Sequence, residues 1–273
     1  MQIRYYGTSA SEGWPALYCD CRACRTARKL RGKNIRTRSQ TQIDKSLLID
    51  FPPDTNYHVL QYGLKLSEIK TLLITHSHHD HLWAADICMR MPDYAEHADD
   101  KLDVYGNDTV RAIYMQTAAS FHGIDEYVTF HTVYPGDCFV TSKGYLVRAL
   151  PADHNYPEQS LNYIIEKDGK RILYAHDTGF FPDEYWALLD GKYFNFVSLD
   201  CTALSRNWEK GHMGFDAVDK VIARLKASGS ADDRTIFVVN HFAHFGDFTH
   251  EKICAIEEKK GIKVAFDNCL FSI

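Results

Sequence analysis

No stretch of this 273-residue chain approaches the roughly 18 uncharged apolar residues of a membrane-spanning helix, so insertion into a bilayer is not expected. Residues Met1 to Tyr6 lack the apolar core of a signal peptide, which argues against export and points to the cytoplasm. A basic surplus is missing too. The formal net charge is -5, whereas counterion release on nucleic acid needs a dense basic surface. A local basic patch stays open, but nucleic acid is not an expected partner. Nor do the eight cysteines look like a disulfide framework. Three cluster (Cys19, Cys21, Cys24), and Cys88, Cys138, Cys201, Cys254 and Cys269 are scattered. There is no internal repeat, low-complexity tract or linker. The 45% hydrophobic and 25% charged content is that of a soluble globular protein long enough to bury a sizeable core. Residues 1–273 are expected to form a single domain, with a homodimer left open.

What is present in quantity is histidine, concentrated in Thr75-His76-Ser77-His78-His79-Asp80-His81. The segment follows Lys70 to Ile74, a short β-branched apolar run that reads as a buried strand, and precedes Leu82 to Met91, which reads as a helix. A loop at the end of a rigid strand lets side chains converge without breaking a backbone ladder. Imidazole nitrogens and a carboxylate are the donors that zinc, manganese or iron accepts at a catalytic site.

This H-x-H-x-D-H pattern after an apolar strand resembles the signature of the metallo-β-lactamase superfamily of hydrolases. The resemblance implies an α/β fold, an αβ/βα four-layer sandwich, with further ligands on later strand ends. They would be His154 in Leu150 to His154, Asp177 in Leu173 to Gly179, and His241 in Phe237 to His241. It implies two catalytic divalent ions: His76, His78 and His154 would hold one, Asp80, His81 and His241 the other, and Asp177 would bridge. Such a pair, about 3.5 to 4 Å apart, can bind a bridging hydroxide and clamp an in-line displacement at phosphorus. Zinc and manganese both suit this donor set. His79 is left free by the pattern, and His176 has no assigned part.

The spacing C-x-C-x2-C at Cys19, Cys21 and Cys24 places three thiols near enough to share one zinc, whose fourth ligand must come from elsewhere. Together with His244 and with His212, just before a helix, these cysteines resemble the phosphoribosyl cyclic phosphate phosphodiesterases of the carbon-phosphorus lyase pathway. That likeness implies one structural zinc on Cys19, Cys21, Cys24 and His244, a catalytic Asp80 and His212, and a small phosphodiester substrate. The pyrroloquinoline quinone biosynthesis proteins of the same fold, which the Gly13-Trp14-Pro15 approach to Cys19 resembles, would make the chain an oxidative or carrier protein. tRNA 3′-end endonucleases share the ligand set but need an RNA-binding arm, and a non-enzymatic metal-dependent sensor is a further alternative.

Elsewhere the chain reads as alternating strands and helices. Ile3 to Tyr6 and Thr41 to Asp50 are expected as strands, and Ala23 to Leu30 as a short basic helix. Asp54 could cap a helix that reaches Tyr62. Pro92 to Lys101 reads as polar and irregular. Lys167-Asp168-Gly169-Lys170 forms a tight hairpin turn between two β-rich runs. Phe215, Val218, Ile222 and Leu225 recur at helical steps as a core-facing stripe. Ile262 to Phe266 is the closing strand. Arg36 and Arg38 read as a solvated charge run, with anion contacts near the site as the alternative. His122 and His131 read as isolated histidines, with a place lining a substrate cleft as the alternative.

Overall fold

The computed structural model describes residues 1–96 and 101–273, so part of the irregular Pro92 to Lys101 segment lies outside the described residues. Six strands in chain order, β1 (Gln2–Gly7), β2 (Gln40–Ile43), β3 (Leu47–Ile49), β4 (Thr71–Leu73), β5 (Leu102–Gly106) and β6 (Val128–Thr132), build one sheet. The next seven, β7 (Cys138–Val140), β8 (Leu146–Pro151), β9 (Leu161–Lys167), β10 (Lys170–Ala175), β11 (Phe196–Asp200), β12 (Ile236–Asn240) and β13 (Ile262–Val264), build the second. A last strand, β14 (Cys269–Ser272), returns to the first sheet and pairs antiparallel with β1, so each sheet has seven strands.

Alternation along the strands explains the layering, because successive side chains point to opposite faces of a sheet. In β12, Val238 faces the other sheet while Phe237 and Val239 face outward, and β11 repeats this with Phe196 inward and Val197 and Leu199 outward. Both faces are apolar, so both must be covered. Between the sheets lie Tyr5, Leu47, Leu73, Val147, Tyr163, Ile172 and Tyr174. The outer face of the first sheet packs against α2 (Thr55–Tyr62), α3 (Ala84–Ile87) and α4 (Asp108–Ala118). That of the second is covered by α1 (Arg22–Leu30), α5 (Asp183–Leu189), α6 (Phe215–Ala227) and α7 (His250–Glu257). The result is the expected αβ/βα four-layer sandwich.

Several local expectations change. Thr41 to Asp50 is not one strand but the antiparallel pair β2 and β3, because the chain turns at Asp44, which adopts a left-handed φ of 49°. The carboxylate of Asp44 accepts hydrogen bonds from the Gln2 amide and the Tyr145 hydroxyl. The helix expected from Leu82 shrinks to α3 and a 3₁₀ turn at Cys88–Arg90. Asp54 occupies the N-cap position of α2 without capping it, its carboxylate pairing instead with Arg38 at 2.9 Å. Arg36 is not solvated but buried, donating to Thr8 Oγ1, to the Ala265 carbonyl and to His250 Nδ1 over the face of Phe242. Ile262 to Phe266 supplies β13 but does not close the fold; β14 does. The Asp168-Gly169 turn has both φ angles positive, 51° and 71°, as a type I′ turn requires.

The β13–β14 turn carries Asp267, whose carboxylate accepts from Thr8 Oγ1 at 2.6 Å and from the amide and hydroxyl of Thr37 at 2.7 Å. Burial outweighs these donors and raises its pKa to about 6. The fold thus holds a proton that the unfolded chain, with a carboxylate pKa near 3.9, releases earlier. Stability from this group is present below about pH 4 and is lost as pH rises toward 6. Thermal melts from pH 4 to 7 should therefore show Asp267→Asn losing less stability than wild type across that window. Parallel pH profiles for the two proteins would contradict this.

Candidate metal centre

Strand direction brings the site together. Strands β10, β11 and β12 are parallel, and β8, antiparallel to β9, runs the same way. Their carboxyl ends lead to His154, Asp177, Asp200 and His241 on one rim. In the facing sheet β3 and β4, also parallel, end at Asp50 and at the loop from Thr75 to His81. Asp50, Asp177 and His241 have left-handed φ angles of 65°, 50° and 62°. Such conformations cost non-glycine residues on the order of 1–3 kcal/mol and persist where the surroundings over-determine them.

The predicted ligands meet there. His76, His78 and His154 form one group whose donor atoms lie within 4.8 Å of one another, and Asp80, His81 and His241 form another. Asp177 joins the two: its Oδ2 is 3.3 Å from His81 Nε2 and 3.1 Å from His241 Nε2, and its Oδ1 is 3.7 Å from His154 Nε2. His78 Nδ1 lies 2.9 Å from His76 Nε2 and 3.2 Å from His154 Nε2.

The donor set fits divalent cations for a further reason. Asp80 Oδ1, Asp177 Oδ2, His81 Nε2 and His241 Nε2 are buried and make no hydrogen bond among the described residues. The outer nitrogens, in contrast, are occupied. His81 Nδ1 donates to Asp50 at 2.8 Å, and His154 Nδ1 donates to the Gly211 carbonyl at 3.0 Å. His241 Nδ1 lies 2.8 Å from Thr202 Oγ1, and His76 Nδ1 lies 3.0 Å from Thr75 Oγ1. An imidazole anchored at one nitrogen presents the other as a ligand of fixed orientation. Electrostatics follow from this crowding. Burial opposes charge on His81, but Asp80, Asp177 and Asp50 raise its pKa well above the ordinary value. Asp177 is held low against burial by His241, His81 and His154.

His212 stands at the edge of the cluster, stacked on His241 with ring centroids 5.7 Å apart. It does not cap α6, whose N-cap is Gly214 without a side-chain bond. Its Nδ1 is 3.0 Å from Asp200 Oδ2, and although burial works against protonation, that carboxylate raises its pKa to about 9. Asp200, fully buried, also accepts from the amides of Asp177, Thr202 and Met213 and from the Thr202 hydroxyl. Sequence reading missed Asp50 and Asp200; the available signal was that each ends an apolar strand as the ligands do.

His79, His122, His131 and His176 fall outside the cluster. His79 and His122 are exposed, and His131 pairs with Asp103 at 2.8 Å on top of Tyr105. His176 is buried between the sheets, bonded through Nε2 to Ser198.

Cys19, Cys21, Cys24 and His244 form a second centre. His244 Nδ1 lies 3.7 Å from Cys19 Sγ and 3.5 Å from Cys21 Sγ, and its Nε2 faces Glu12 at 3.6 Å. Burial opposes ionisation of Cys21, but the Cys24 amide and His244 lower its pKa to about 6. The thiolate is the form that binds zinc.

Residues 47–238 match the beta-lactamase superfamily domain, more than half of the chain. The chain belongs to this superfamily. Its fold is similar to Zn²⁺-bound PqqB from Methylobacterium extorquens (TM-score 0.76, 16% identity, covering 100% of both chains). It is equally similar to a diphosphatase of the PhnP family (TM-score 0.75, 21% identity, 100% of this chain and 97% of the other). Among curated relatives, ribonuclease Z of Listeria innocua serovar 6a is 28% identical over 151 residues, 53% of this chain and 48% of its own length. Ribonuclease Z of Listeria monocytogenes serovar 1/2a is 26% identical over the same shares. The chain thus spans about half the length of the curated relatives it matches. No helix among the described residues is long and apolar enough to cross a membrane.

Because a closed four-ligand site contributes to folding, Cys21→Ser is expected to lose about one zinc per chain and to melt at lower temperature while the histidine cluster keeps its metal. Elemental analysis with thermal melts checks this. Unchanged zinc content in the variant would contradict it.

Proposed function

We propose that this chain, acting as a single domain of residues 1–273, is a metal-dependent phosphodiesterase of the cytoplasm. Its substrate is a small phosphodiester, such as a phosphoribosyl cyclic phosphate, rather than nucleic acid or a membrane lipid. The observation that carries the reading is the pairing of half-buried His212 with buried Asp200 beside a cluster of seven nitrogen and carboxylate donors. His76, His78 and His154 would hold one divalent ion and Asp80, His81 and His241 a second, with Asp177 shared. When bound, such ions supply Lewis-acid stabilisation of phosphoryl charge and activation of water.

The chain's own residues do the rest. Asp80, buried and with Oδ1 free of hydrogen bonds among the described residues, would orient the attacking water. His212, charged near neutral pH through Asp200, is a proton donor at the rim of the cluster. Donation of that proton to a departing alkoxide is general-acid catalysis, typically contributing on the order of a hundredfold to ten-thousandfold. Asp200 fixes the ring by holding Nδ1, which leaves Nε2 to meet the leaving oxygen.

Partial likeness to ribonuclease Z favours a second reading, hydrolysis of an RNA phosphodiester by the same donors. The net charge of -5 weighs against it.

Metal-loaded protein should hydrolyse bis(p-nitrophenyl) phosphate, and metal removal or Asp80→Ala should abolish turnover. His212→Ala should slow a ribose cyclic phosphate, whose leaving alkoxide is strongly basic, at least a hundredfold more than the nitrophenyl ester, in line with the size of general-acid effects. Equal losses on both substrates would remove His212 as the acid. Full activity without metal would overturn the reading, and cleavage of precursor tRNA alone would favour the second.

A further inference from the structure

His76 and His78 belong to the first sheet and His154 to the second, so this three-histidine group exists only if two loops from different sheets are held together. One side chain sits at that junction. Glu158, 8% exposed, accepts four hydrogen bonds from three segments. Its Oε1 accepts from the Ser77 amide at 3.0 Å and from Asn107 Nδ2 at 2.7 Å. Its Oε2 accepts from the Ser77 hydroxyl at 2.6 Å and from Asn155 Nδ2 at 2.6 Å. Ser77 lies between His76 and His78, Asn155 follows His154, and Asn107 is the N-cap of α4.

Asn155 has a left-handed φ of 49°, and the Glu158 amide donates back to its carbonyl, so the His154 loop closes on itself at the same point. The other group of ligands does not use this carboxylate. His81 is fixed by Asp50 and His241 by Thr202.

Resting on the metal reading above, we propose that Glu158 is a positioning residue, a clasp between the two loops, that sets the affinity of the His76, His78 and His154 group for its ion. The carboxylate suits this role because, among the described residues, both oxygens are hydrogen-bonded only by donors. An amide in its place must turn an NH₂ toward one pair of those donors, leaving buried groups unpaired. Loss of a partner that orients metal ligands typically weakens metal binding about 10- to 100-fold.

The experiment strips wild type, Glu158→Gln and Ser77→Ala with a chelator, restores zinc to the cysteine site, and titrates each with Mn²⁺ alone. Binding is followed by calorimetry and by electron paramagnetic resonance, with melts to confirm folding. Wild type should bind two ions and give the spectrum of a coupled pair. Glu158→Gln should keep one tight ion, bind the second about 10- to 100-fold more weakly, and show an isolated-ion spectrum at one equivalent excess. Ser77→Ala, which deletes one of the four bonds, should show the same selective loss to a smaller degree. If Glu158→Gln fails to fold, the Ser77→Ala titration decides. Two ions bound as tightly as in wild type, or both weakened alike, would overturn the clasp. Absence of Mn²⁺ binding in wild type would instead overturn the metal reading, and the clasp with it.

Discussion

Removing carboxylates and imidazoles from water is expensive unless each charge and polar atom finds a partner, and this fold concentrates that demand at one rim between its two sheets. The outer imidazole nitrogens are satisfied by Asp50, Thr75, Thr202 and the Gly211 carbonyl. The inward atoms of Asp80, His81, Asp177 and His241 are not. That division makes sense of the strained backbone at Asp50, Asp177 and His241: the chain adopts unfavourable φ angles where doing so turns a donor or its anchor toward the common centre.

The same constraint connects the rim to its surroundings. Asp200 collects the amides of Asp177, Thr202 and Met213 together with His212, so one buried carboxylate holds one proposed ligand, the support of a second and the proposed acid. His244 lies three residues beyond His241, and the cysteine centre is thereby tied to the end of β12. Beside it, Arg206 stacks on Phe245 at 3.7 Å, joining the loop that carries His212 to the loop that carries His244.

Much of this was legible in the sequence because ligands follow strands. His76 to His81, His154, Asp177 and His241 each end an apolar run, and the resemblance to the superfamily implied which of the strand ends carry ligands. The residues that hold them were harder to read, since Asp50 and Asp200 also end apolar strands but belong to no motif. Asp50 finds His81 across 31 positions and Glu158 finds Ser77 across 81, and neither partner is marked by local periodicity. The Thr41 to Asp50 hairpin was hidden because its turn, Asp44-Lys45-Ser46, has no glycine or proline, and Asp44 itself adopts the left-handed conformation. Arg36 looked solvated because a buried arginine is rare, and its acceptors come from β1, β13 and α7 neighbourhoods far along the chain.

The proposed chemistry requires two ions that share Asp177. Anomalous diffraction from crystals of the manganese-loaded protein, collected above and below the manganese edge, measures this directly. Two peaks are expected in the histidine cluster, one against His76, His78 and His154 and the other against Asp80, His81 and His241, with Asp177 touching both. A single peak, or two peaks with Asp177 bound to neither, would contradict it.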